Sequence, residues 1–231
     1  MEYMTLRGSP LQPKEAAVVL AFGLCPHRFE SCTTMRVALL VIDMQHDFIH
    51  GSRTDWDMII ASQDDHPEDH ISFADTHNTE PFQERCVAHP IIPEATLLQM
   101  MWPKHCVQNT KGAEIVPSVK KALQSKQASG TPVYYVRKGQ DARIDYYSAF
   151  ASQEYVRFTE LSKLLHSQQP CPIDTVVVCG IATDYCVKNT AIDACKFGFR
   201  TQVANDCIRG VFDATSSAAL REMQAYGCEM V

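Results

Sequence analysis

Four residues of this chain could together make a thiol reactive: Asp43, Asp64, Lys138 and Cys186. A cysteine attacks as its thiolate, and a lysine beside it favours that form. A carboxylate within reach can take the thiol proton and give it back later. A second set has the chemistry of metal ligands. Asp64-x-His66 is followed four residues on by His70, and His105 stands in Trp102-Pro103-Lys104-His105-Cys106. Alternate side chains of an extended segment share a side, so Asp64 and His66 should face one way and Asp65 the other. One acid with two or three histidines suits a divalent transition metal, zinc or iron/manganese. Each residue also has a plainer reading: a bystander thiol, a helix-capping acid, a solvated lysine, a solvated polar loop.

The elements that must position these groups can be read around them. Val176-Val177-Val178 is a β-branched run that stops at Gly180, the pattern of a buried parallel strand. From Asp184 to Phe197 the period is helical, with Val187, Ala191, Ala194 and Cys195 on one face and Gly198 as its stop. Cys186 should therefore stand in a first helical turn just past a strand, where free N–H groups and the helix dipole favour a thiolate. Further strands are expected at 36–43, 57–64, 132–137, 173–179, 200–204 and 228–231, with helices at 115–128, 152–167 and 213–226. Residues 65–110 read as polar loop and hold five of the nine histidines. Alternation of strand and helix predicts an α/β fold with a doubly wound, mostly parallel sheet of about six strands. The ends of parallel strands converge on one edge, which would bring Asp43, Asp64, Lys138 and Cys186 together.

One connection does not fit that pattern. Only about a dozen residues separate Met44 from Asp57, without a helical period, so the first crossover helix is missing from the sequence pattern. The apolar segment 14–25 is a candidate cover for the sheet face thereby exposed. Residues 1–35 read as an N-terminal extension and residues 36–231 as a single domain. Glu2 and Glu15 precede the apolar run 16–25 and no small-x-small site follows, so a buried or amphipathic helix is expected there rather than a secretory signal.

Composition narrows the function classes. The 231 residues carry a formal charge of −6, which argues against nucleic acid as the main partner. No apolar run reaches the roughly 18 residues of a membrane span. Ten cysteines scattered through core, loops and chain ends, with no C-x-x-C pair, indicate a reduced cytoplasmic protein rather than a disulfide framework or a zinc ribbon.

The motifs resemble the nicotinamidases of the isochorismatase-like cysteine hydrolases. The resemblance runs through Leu-Val-Ile-Asp43-Met-Gln-His-Asp47-Phe48, Gln63-Asp64-Asp-His66-Pro67-Glu-Asp-His70, Trp102-Pro-Lys-His105, Arg137-Lys138-Gly139, Asp145-Tyr-Tyr147-Ser-Ala-Phe150 and Gly180-Ile-Ala-Thr-Asp-Tyr-Cys186-Val, in the family's order. It implies hydrolysis of nicotinamide to nicotinate and ammonia, in NAD salvage. Asp43, Lys138 and Cys186 would be the catalytic triad, with Asp64, His66 and His105 as metal ligands and His70 a further ligand in some members. Zn2+ is the expected ion, with Fe2+ or Mn2+ as alternatives. Phe48, Trp102, Tyr147 and Ile181 would line the substrate pocket. Ala182 and Cys186 would form the oxyanion hole beside a cis Ile181–Ala182 peptide. Two departures stand out: Asp65 replaces a usual aromatic residue, and the helix between the first two strands is lacking. The alternatives are a related hydrolase acting on another amide and an inactive metal-binding homologue. Homo-oligomerisation is left open.

Overall fold

The structure is a computed structural model and describes residues 35–44, 56–168 and 171–231. In chain order its strands are β1 (Val37–Ile42), β2 (Met58–Asp64), β3 (Glu84–Ala88), β4 (Thr96–Met100), β5 (Val133–Lys138), β6 (Thr175–Ile181), β7 (Arg200–Arg209) and β8 (Glu229–Met230). The α-helices are α1 (Pro117–Ala128), α2 (Leu161–His166), α3 (Lys188–Lys196) and α4 (Asp213–Ala225). Six strands form one sheet in the order β5-β2-β1-β6-β7-β8, every pair parallel. The expected α/β sheet of about six strands is therefore what the chain adopts. Because the chain builds outwards from β1 in one direction and later from β6 in the other, the strand order reverses between these two. Their carboxyl ends open a crevice there, where ligands of such sheets bind.

Near-continuous apolar strands account for the parallel sheet, since both of its faces are buried. All seven residues of β6 are buried. Leu40, Ile60 and Val178 point to one face, where α2, α3 and α4 supply Leu161, Leu165, Ala191, Ile192 and Met223. Leu39, Val41, Ile59 and Val177 point to the other, where α1 supplies Val119 and Leu123. The expectation of a missing first crossover helix concerns residues 45–55, and with the proposed cover at 14–25 it lies outside the described residues. No helix among the described residues is long and apolar enough to cross a membrane. None of the eight described cysteines forms a disulfide with another described residue.

Three local expectations are corrected. The stretch 65–110 is not all loop, because β3 and β4 form an antiparallel hairpin within it. Four of the five β3 residues are exposed, so the strand lacks the apolar run that marks a core strand. The helix expected over 152–167 is only the six residues of α2. Ahead of it Glu154 and Tyr155 take left-handed φ values of 50° and 56°, which no α-helix accommodates. The helix expected from Asp184 begins instead as a wide π-helical turn, Thr183–Val187, that leads into α3.

Candidate active site

Two strand ends flank the crevice directly. Asp43 follows β1 with φ +47°, a left-handed conformation that Asp tolerates better than most residues. Ser62 of β2 fixes it twice. The Ser62 hydroxyl donates to Asp43 Oδ1 at 2.7 Å and accepts from the Asp43 N–H at 3.2 Å. Cys186 lies in the π-helical turn after β6. Gly180 makes the bend before that turn possible, with φ +119° and no room for a Cβ, which would stand 2.1 Å from the Ile42 carbonyl oxygen. The Ile181–Ala182 peptide is cis. Asp184 then fastens the turn to the start of α4, its carboxylate accepting from Val211 N at 2.9 Å and Phe212 N at 3.1 Å.

Lys138, the last residue of β5, reaches under both. Its ammonium is completely buried, 2.9 Å from Asp43 Oδ2 and 2.7 Å from Asp64 Oδ1. It also donates to the Tyr146 carbonyl at 2.9 Å and to Cys186 Sγ at 3.4 Å. Burial alone would lower its pKa, but Asp43, Asp64 and Cys186 outweigh that and hold it well above the usual lysine value. Burial raises the Cys186 thiol well above its ordinary value, an effect that Lys138 reduces but does not reverse, with Asp43 adding to it. Burial likewise raises Asp43, against the pull of Lys138. The resting cysteine is thus a protonated thiol. Position at a helix start does not suffice to ionise it, and its proton needs the neighbouring carboxylate as acceptor.

Asp64 joins this group to the histidines. Its Oδ1, already paired with Lys138, lies 3.6 Å from His66 Nε2. Ligand atoms of Asp64, His66 and His105 all fall within 4.8 Å of one another. The donor set fits a divalent ion. His66 Nδ1 sits 3.0 Å from the Gly139 carbonyl, and His105 Nδ1 sits 2.8 Å from that of Pro103. Carbonyls only accept, so each Nδ1 carries the proton and each Nε2 is left with its lone pair. Gly139 approaches so closely that a Cβ there would stand 2.3 Å from the His66 ring. Burial pushes both His66 and His70 down to about 4, so both are neutral at ordinary pH. His70 groups with His66 and Asp145 rather than with Asp64 and His105. Its Nδ1 lies 2.8 Å from Ser72 Oγ, and its buried Nε2 has no hydrogen-bond partner among the described residues. Asp65 points away, as the alternation requires, and accepts from Gln140 Nε2 at 2.7 Å and Arg137 at 3.4 Å.

One pocket collects these groups. Asp43, Asp64, His66, His105, Ala182 and Cys186 line it, with Trp102, Tyr147 and Ile181 as apolar walls. Lys138 does not line it but contacts three residues that do, Asp43, Asp64 and Cys186. Phe48 lies outside the described residues. Sequence reading missed Tyr185, Val211 and Asp145, which also line the pocket. Tyr185 packs edge-on against Trp102 at 4.6 Å and faces Tyr147 at 5.5 Å. Its place beside Cys186 in the motif was a usable signal, whereas Val211 arrives only through the Asp184 tether. Burial holds the Tyr147 phenol protonated, well above its usual range. A flat, aromatic-walled slot with a thiol on one side and histidine nitrogens on the other can hold a small planar ring and attack a substituent on it.

Residues 146–231 match the family described as the Isochorismatase domain. The chain is 35% identical to a nicotinamidase of Escherichia coli, over 84% of this chain and 93% of that one. Its fold matches the crystal structure of the yeast nicotinamidase Pnc1p bound to the inhibitor nicotinaldehyde, with a TM-score of 0.75 and 29% identity, covering 84% of this chain and 99% of that one. It also matches the pyrazinamidase of Pyrococcus horikoshii in complex with zinc, with a TM-score of 0.59 and 29% identity, covering 85% and 98%.

Proposed function

The chain belongs to the nicotinamidases of the isochorismatase-like hydrolases, and we propose that residues 36–231 form one domain that converts nicotinamide to nicotinate and ammonia through a thioester on Cys186. The observation that carries this reading is the buried contact of Lys138 with Asp43, Asp64 and Cys186 beneath an aromatic slot.

Asp64, His66 and His105 would hold a divalent metal, with Zn2+ favoured by their one-acid, two-imidazole donor set. Such an ion supplies a Lewis-acid anchor for the pyridine nitrogen. Trp102, Tyr147 and Tyr185 bound the ring faces and edge. Asp43 takes the Cys186 proton, and the thiolate sulfur attacks the carboxamide carbon. Lys138 stays charged throughout and balances whichever of Asp43 and Cys186 is ionised. The N–H groups of Ala182 and Cys186 receive the developing oxyanion, where loss of one donor typically costs about 10²–10³ in rate. Asp43 returns its proton to the departing nitrogen and ammonia leaves. A water molecule then gives a proton to Asp43 and its oxygen to the acyl carbon, which releases nicotinate and restores the thiol. Nicotinate made this way would enter NAD salvage. The described cysteines, none of them in a disulfide with another described residue, suit a reducing, cytoplasmic setting.

Ammonia release from nicotinamide, pyrazinamide and unrelated aliphatic amides by wild type and Cys186→Ala tests the reading. Turnover of the two ring amides, abolished in the variant, is expected. Release by Cys186→Ala at the wild-type rate refutes the nucleophile, and preference for an aliphatic amide refutes the substrate.

A further inference from the structure

The β3–β4 hairpin reaches the pocket through one side chain. β4 alternates, with Leu98 outward and Leu97 and Gln99 inward. Gln99 is completely buried, and Leu97 and Met101 on either side of it belong to an apolar cluster with Ala74, Val87, Ile144 and Tyr146. An uncharged amide gains nothing in such a place unless its hydrogen bonds are used, and a Leu or Met would fill the same space at lower cost. Gln99 uses them on the pocket. Its Nε2 lies 2.9 Å from Asp145 Oδ2 and 3.1 Å from the Tyr147 hydroxyl, besides 2.8 Å from the Met100 carbonyl. Two N–H groups cannot serve three acceptors fully, and Oε1 has no partner among the described residues. Asp145 Oδ2 and the Met100 carbonyl only accept, so the amide must present its Nε2 to them, which fixes its orientation and leaves the Tyr147 hydroxyl as the third acceptor.

We propose that Gln99 is a positioning residue for the substrate slot: it fixes the tilt of Tyr147 as the ring-binding wall and anchors Asp145, the buried acid facing His66 and His70. The role gives the hairpin a function at the pocket, through Asp145 and Tyr147. It rests on the nicotinamidase reading only for the identity of the substrate.

The test uses metal-loaded protein and the variants Gln99→Met, Tyr147→Phe and the double variant. Gln99→Met keeps the length of the side chain and removes the amide. A rise of about tenfold in KM for nicotinamide is expected, with kcat within threefold, the size of the lost hydrogen bond that holds Tyr147. Tyr147→Phe should do nearly the same. The double variant should be no worse than Gln99→Met alone, because both remove one interaction. Multiplicative losses in the double variant, or an unchanged KM in Tyr147→Phe, overturn the proposal. The second holds even if Gln99→Met fails to fold. Amide hydrogen exchange without substrate gives a separate readout. Residues 143–150 should exchange faster in Gln99→Met while β1 and β6 do not change, and unaltered exchange at 143–150 overturns the proposal. A wild type inert toward nicotinamide but with this exchange pattern would overturn the substrate assignment and leave the positioning role standing.

Discussion

The two sides of the pocket are built by different means. The thiol side hangs from the ends of β1, β5 and β6, strands locked into one parallel ladder. Leu40 pairs with both Ile60 and Val178, and Asp64 pairs with Lys138. Its groups then need little further support, apart from Ser62 under Asp43. The histidine side comes from irregular chain between β2 and α1, and is aimed one side chain at a time by Gly139, Pro103, Ser72 and Gln99. Asp64 alone belongs to both. Its position at the end of β2 is ladder-fixed, and its carboxylate touches Lys138 on one side and His66 on the other. Changes on the thiol side should therefore strike stability and activity together, and changes on the histidine side should strike ligand binding with the fold intact.

Lys138→Met should show the largest effect. It leaves Asp43 and Asp64 buried side by side with no cation between them, the situation in which breaking a buried pair costs about 3–5 kcal/mol. Nicotinamide turnover should fall by ~10⁴-fold or more, as for a member of a catalytic unit. Urea unfolding and an ammonia assay on the same preparation would show it. Wild-type stability in this variant would mean that the thiol side is not ladder-plus-charge after all.

His105→Ala comes next and should separate the two quantities. His105 is only half-buried and its ring rests against Phe73 and His66. Zinc affinity should fall by at least about 10²-fold, beyond the 10–100-fold typical of outer-shell partners, with unfolding midpoint nearly unchanged. Chelator competition reads the first and urea the second. Equal losses in both would erase the contrast between the two sides.

How far the sequence reaches follows the same division. Asp43, Lys138 and Cys186 sit where apolar runs end, and the end of a run is visible without coordinates. So is the outward turn of Asp65, which follows from strand alternation alone. What the Cys186 environment does was not legible. A helix start suggested a lowered pKa, but Lys138 is too well neutralised by Asp43 and Asp64 to overcome burial. The hairpin stayed hidden because its strands are largely exposed, and Gln99 with it. Its importance lies in partners 46 and 48 positions away in the chain. Local period carries no trace of such contacts.

Acid should weaken the histidine side of the metal-free protein. Unfolded histidines titrate near 6.5, whereas His66 and His70 are held down to about 4. Between those values the unfolded chain binds more protons, so stability is complete above about pH 6.5 and is lost as the pH falls towards 4. Asp43, raised by burial, works in the opposite direction and is common to any histidine variant. The useful quantity is therefore a difference. Between pH 7 and pH 5 the wild type should lose ~1–2 kcal/mol more than His70→Gln, from a maximum of about 1.4 kcal/mol per pH unit for one proton. Identical losses would show that His70 takes up a proton as readily in the folded protein as in the unfolded chain.

The smallest effect should come from Asp65, although it lies between two of the candidate ligands. Its carboxylate turns away from them and meets Gln140 and an Arg137 that is 64% exposed. Solvent screens that ion pair, so the charge should contribute no more than ~0.5 kcal/mol. The acceptor matters more than the charge. Gln140 donates to Asp65 at 2.7 Å, and Asp65 N–H in turn donates to the Lys138 carbonyl at 3.0 Å, which ties the end of β5 to the start of the ligand loop. Asn keeps an oxygen for Gln140 and Ala does not. Asp65→Asn should then match the wild type in urea midpoint and zinc affinity to within error, while Asp65→Ala should lose about 1 kcal/mol. If Asn proves as costly as Ala, the charge is what the site uses, and the carboxylate acts on the neighbouring ligands through the field rather than through the β5 tether.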